Sequence, residues 1–152
     1  MGCATSNAWV TWAAWQPFER AFMLWRMDSD QVTVLSPNNS GRSQGSWQVW
    51  DDKWDGSDPD GVGMSPPPGL YEPVRGFGWL WRTKLGGPSG PMGWATDQEK
   101  GFCATIQPFE KGYMLASNTM ASCEAQLFNW ATDPSFVPLR LSLYWIGTWR
   151  RH

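Results

Sequence analysis

Residues 16–24, QPFERAFML, return as residues 107–115, QPFEKGYML. Six of the nine positions are identical, and the other three exchange Arg for Lys, Ala for Gly and Phe for Tyr. Gln16 and Gln107 stand 91 residues apart, and the same offset lays Met1-Gly2-Cys3-Ala4-Thr5 on Met92-Gly93-Trp94-Ala95-Thr96 without a gap. Two motifs in one register identify an internal repeat, the pattern to look for before any other. A looser echo, EPVRGFGWLWR (72–82), resembles QPFERAFMLWR (16–26) when one residue is allowed to shift.

The repeated unit reads as a short hairpin. Proline suits the start of a strand, where its missing donor costs least. Glu-Arg-Ala or Glu-Lys-Gly then supplies a tight turn, with Gly112 free to take positive φ. FMLW or YML continues as a strand. Further strands are expected at QVTVLS (31–36), SWQVW (46–50) and LRLSLYWI (139–146). In the last, Leu139, Leu141, Leu143 and Trp145 would share one face.

Composition agrees with short aromatic strands and Gly/Pro turns: 13 Trp, 16 Gly and 12 Pro among 152 residues, with 17% charged. The expected fold is therefore all-β, built from internally repeated hairpins, propeller-like or a small multi-sheet domain. Residues 1–60 form unit one, 61–91 a linker with an intermediate hairpin, and 92–152 a shortened unit two. The three segments are also readable as one compact domain overall. The aromatic content argues against disorder. A net charge of −2 gives no basic footprint for nucleic acid. No apolar run approaches the ~20 residues of a membrane span.

MGCATS (1–6) also fits an N-myristoylation signal, with Cys3 as a palmitoylation site. Its alignment with MGWATD (92–97) makes it the opening of a repeat instead, and a lipid anchor is not expected.

At the second copy, MGWATDQEKGFCATIQPFEKGYML (92–115) resembles the LGFP-type repeat of bacterial cell-wall-associated proteins. The matching positions are Gly93, Trp94, Glu99, Gly101, Phe109 and Gly112. Met92 and Ala95 stand where that pattern has Leu and Pro, and Glu110-Lys111 precede a single Gly. Ala116 follows YML, where the first copy has Trp25. The resemblance implies a propeller-like β-repeat, non-catalytic and associated with cell-wall polysaccharide.

Catalysis is not expected. The sole histidine is His152, and a Ser-His-Asp or Cys-His site would have to be built on the last residue. Glu19 and Glu110 could form a glycosidase pair. Repeat-equivalent carboxylates sit in similar surroundings, however, whereas an acid and a base need different ones. Each is expected to serve its own hairpin or the adjacent Arg20 or Lys111. Three cysteines without a C-x-x-C do not make a zinc site, and no cofactor is expected. Asp55, Asp58 and Asp60 are weak calcium candidates in an acidic loop that lacks EF-hand spacing. Cys103 and Cys123 flank the second hairpin and are placed to bridge neighbouring strands.

The tryptophans carry the functional expectation. Sugar binding needs flat aromatic faces beside polar groups that orient hydroxyls. Trp47, Trp50 and Trp54 with Asp51 and Asp52 form the first candidate surface, and Trp79 with Arg75 and Arg82 the second. Trp25 and Trp81 are expected in the core. The expected function is an extracellular or cell-surface module that binds polysaccharide and is not an enzyme. The alternative is a self-assembling homo-oligomer or filament subunit, whose C-terminal strand would pair with another sheet edge.

Overall fold

The computed structural model describes residues 1–57, 60–118, 123 and 135–152. Eight antiparallel strands form one closed barrel: β1 (Trp9–Pro17), β2 (Phe22–Arg26), β3 (Gln31–Pro37), β4 (Gln44–Asp51), β5 (Lys100–Phe109), β6 (Gly112–Ser117), β7 (Arg140–Tyr144) and β8 (Thr148–Arg151). Around the wall the order is β1-β2-β3-β4-β8-β7-β6-β5, with β5 pairing back onto β1. Continuous strand pairing leaves no boundary at which propeller blades or separate sheets could divide, so that expected arrangement gives way to a single sheet.

Strand alternation decides what fills the barrel. Ala13 and Trp15 of β1, Phe22 and Leu24 of β2, Phe102, Ala104 and Ile106 of β5, and Leu141 and Leu143 of β7 belong to one buried cluster. Small and large residues face one another across the β1–β5 seam, Ala13 opposite Phe102, so the interior is packed rather than hollow. The expected face of 139–146 holds through Leu143. Trp145 lies beyond the end of β7 and is 56% exposed. Because β7 is hydrogen-bonded to β6 on one side and β8 on the other, it offers no free edge for assembly.

The two QPFE tips are held by segments from across the chain. In the first, Phe18 donates to Ala21 (2.8 Å), closing the turn, while the Glu19 and Arg20 amides donate to the carbonyls of Trp94 and Met92. In the second, the Glu110 and Lys111 amides donate to the carbonyls of Cys3 and Met1. Each carboxylate answers: Trp94 N–H donates to Glu19 Oε1 (2.9 Å), and Cys3 N–H to Glu110 Oε2 (3.1 Å). Gln16 donates to the Asp97 carbonyl and Gln107 to the Ser6 carbonyl. Every one of these contacts between arm and hairpin recurs at the 91-residue offset. Each MGxAT arm thus clasps the hairpin of the other half, which explains why the two motifs keep one spacing. Gly93 takes φ +73°, and a Cβ there would lie 2.7 Å from Glu19 Oε1. The carboxylates therefore do not serve their own hairpins, as the sequence suggested, but brace the opposite arms.

Truncating Glu19 to alanine is expected to destabilise the fold by about 1 kcal/mol, the worth of a hydrogen bond to an exposed charged acceptor. Glu19→Gln, which keeps the acceptor, should recover most of it. Urea unfolding of both variants checks this, and equal losses would contradict the clasp.

Residues 72–83 are not a hairpin. Pro73 precedes helix α1 (Arg75–Thr83), where Phe77, Leu80 and Trp81 fall at helical spacing on one buried face. That face covers Phe18, Met23, Val32 and Val34 on the outer wall, and forms a second core with Met92 and Ala95. Strand pairing places Ser142 opposite Met114 and Arg140 opposite Ala116, where β3 has Val34 opposite Met23 and Val32 opposite Trp25. The second half thus carries polar residues at the positions that α1 covers on the first.

Cys103 on β5 is joined to Cys123 by a disulfide with a Cα–Cα distance of 5.8 Å. Cys3 is exposed and free.

Candidate functional site

The predicted aromatic surface at 47–54 is divided by strand alternation. Trp47 packs against the barrel interior, and its indole donates to the Tyr144 carbonyl (3.0 Å). Trp50 turns to the outer wall, where it lines a groove of about 350 Å³ with Asp51, Trp79 and Lys84. Trp54 lies past the end of β4 and lines a different cavity, with Asp52 and Arg75. Arg82 joins neither, since its guanidinium lies against Gly78. Of the calcium candidates, Asp55 accepts the amide and hydroxyl of Ser57, and the Asp60 carbonyl takes the Arg75 amide. Asp58 lies outside the described residues. Among the described residues no three acidic, His or Cys side chains are grouped to hold a metal.

The Trp54 cavity has the richest chemistry. It encloses about 140 Å³ between the β2 end, the loop after β4, the first turn of α1 and the start of β5, lined by Trp25, Asp52, Trp54, Arg75, Phe77 and Glu99. Asp30 at the β2–β3 turn organises one wall. Its carboxylate accepts the Trp25 indole N–H (3.0 Å), and its carbonyl accepts the Asp52 amide (3.1 Å). Asp52 Oδ1 accepts the Trp54 amide (3.0 Å). Its carboxylate lies against the helix start, where a Cβ on Gly76 would come within 2.7 Å of Oδ2. Opposite, Arg75 Nη2 reaches Glu99 Oε2 at 2.7 Å. Arg75 carries φ +51°, a left-handed conformation unusual for a residue with a Cβ.

The Arg75–Glu99 pair also borders a second cavity of about 440 Å³, lined by Gln16, Met64, Tyr71 and Gln98. Gln16 is 2% exposed, its Nε2 donates to the Asp97 carbonyl, and its Oε1 has no hydrogen-bond partner. Glu72 on this side is committed to the amides of Val62 and Met64.

Burial pushes the Glu99 carboxyl above the usual carboxylate range even with Arg75 beside it, and Asp52 adds to the effect. Burial likewise raises Asp52, opposed by the Trp54 amide and reinforced by the charge of Asp30. Carboxylates whose ionisation opposes folding are a mark of functional sites. The sign follows from linkage: with folded pKa values above the unfolded ones, these groups favour the fold at low pH, and that stability is lost as pH rises through the folded values. Asp52→Asn should therefore melt higher than the parent at neutral pH, with the advantage vanishing below the ordinary carboxylate range. Thermal melts across that range check it. An advantage of equal size at both ends would contradict it.

Sequence reasoning placed Asp52, Trp54 and Arg75 on sugar-binding surfaces and assigned Trp25 to the core. Glu99 entered only as a position of the LGFP-like pattern. A signal for Trp25 was present in the first-copy LWR, which the second copy lacks. Comparison with protein-family models, characterised proteins and solved structures finds nothing that matches this chain.

Proposed function

We propose that this chain is a non-catalytic extracellular or cell-surface module that binds cell-envelope polysaccharide in the cavity between Trp25 and Trp54. The observation that carries the reading is the composition of that cavity: two indoles for sugar C–H faces beside two carboxylates and a guanidinium that can orient hydroxyls. The Cys103–Cys123 disulfide suits an oxidising compartment, and the LGFP-like stretch points to the same surroundings. We read the barrel as a duplicated half-barrel, each half contributing an arm to the other, with the site on the half that carries α1. Glu19 and Glu110 are engaged in the clasps and His152 shares a hydrogen bond with Ser142, so these two carboxylates and the imidazole have structural work. The self-assembly reading loses the sheet edge it needed.

A glycan array with the parent and with Trp54→Ala and Trp145→Ala tests this. Binding should fall about tenfold or more in Trp54→Ala, a loss of about 1.4 kcal/mol. The exposed Trp145, which is not part of the cavity lining, should be dispensable. Absence of any glycan signal, or undiminished binding by Trp54→Ala, would overturn the proposal.

A further inference from the structure

The polar groups left uncommitted around the two adjoining cavities are mostly acceptors. Trp54 N–H and Arg75 engage one oxygen of each carboxylate, and among the described residues Asp52 Oδ2 and Glu99 Oε1 accept no hydrogen bond. The third is Gln16 Oε1, on a side chain buried to 2% exposure and lining the second cavity. On the donor side stand the Trp54 indole N–H, which has no partner, and Arg75, whose Nη2 is paired with Glu99. Charge runs the same way, with Asp52 and Glu99 against one Arg75.

An acidic sugar would meet net negative charge, with the one cation of the two linings already paired with Glu99. An N-acetyl group exchanges three N–H donors and a positive charge for one N–H and a carbonyl acceptor, against a lining whose free groups are mostly acceptors, and an unmatched buried polar group costs affinity. A ligand rich in donors and positively charged fits both sets of observations. The aromatic lining agrees, because Trp25, Trp54 and Phe77 border the same space as the carboxylates, and indole faces attract cations.

We propose that the site selects a polysaccharide whose hexosamine residues carry a free, protonated amine, with the sugar ring against Trp25 and Trp54 and the ammonium held between Asp52 and Glu99. The inference rests on the polysaccharide reading above and narrows it to one class of sugar. The second cavity, sharing Arg75 and Glu99 with the first, takes the next sugar of the chain and presents Gln16 Oε1 to one of its hydroxyls.

The test is calorimetric titration of the unmodified protein with β-1,4-linked glucosamine oligomers and with the same oligomers N-acetylated, at about pH 6, where the amine is charged. The glucosamine oligomers should bind about tenfold or more tightly than the acetylated ones. Asp52→Asn, checked for folding by its melt, should remove most of that preference. Tighter or equal binding of the acetylated oligomers would overturn the amine selectivity and leave polysaccharide binding standing. Failure of both oligomers together with a blank glycan array would bring down the two proposals at once.

Discussion

Replacing Trp81 by alanine is expected to destabilise the protein by about 3–5 kcal/mol, the cost of emptying a fully buried large aromatic site. Trp81 is 0% exposed at the centre of the outer core, and its indole donates to the Gly93 carbonyl at 2.8 Å. It therefore joins three parts at once: α1, the barrel wall and the MGxAT arm. Against a typical domain stability of about 5–15 kcal/mol, the loss is a large fraction. The site should go with it, because Arg75, Gly76 and Phe77 ride on the first turn of α1. Urea unfolding and glycan binding measured together check both consequences. Ile146→Ala, at an 85% exposed position, should change stability by less than about 0.5 kcal/mol.

The second large effect is expected at the β6–β7 seam. Gly112 takes φ +155°, and a Cβ there would lie 2.0 Å from the Leu143 carbonyl oxygen. Gly112→Ala should cost about 3 kcal/mol or more, combining backbone strain with an overlap that only movement of β7 can relieve. Residue 21, at the equivalent position of the first copy, is an alanine buried to 2% and is not among the residues with positive φ. Ala21→Gly should consequently cost no more than about 1 kcal/mol. Urea titrations of the two variants read the asymmetry, and similar losses would contradict the register at this seam.

The hairpins were legible because their signals are local: proline, turn residues and apolar strand residues lie within nine positions. The strand face followed from alternation at Leu139, Leu141 and Leu143. The crossing of the arms was not legible. Nothing in MGxAT distinguishes the nearer QPFE from the farther one, and the choice is made by closure of the barrel. Helix α1 was obscured by its likeness to a hairpin sequence, although Phe77, Leu80 and Trp81 already had helical spacing. The site was half legible. Asp52, Trp54 and Arg75 stood out as polar and aromatic neighbours, yet Trp47 and Trp50 were grouped with them although β4 sends one inward and the other outward. Glu99 could not be joined to Asp52 from sequence, because their proximity depends on β5 closing against β1 and on α1 bringing Arg75 between them.

The most direct test of the central claim is the indole N–H region of a ¹H–¹⁵N correlation spectrum during glucosamine-oligomer titration. The Trp54 and Trp25 resonances, assigned by single substitution, should shift first and most. The signals of Trp47, packed in the barrel, and Trp145, exposed between β7 and β8, should stay in place. Shifts confined to Trp145, or to the Trp50 and Trp79 groove, would contradict the account.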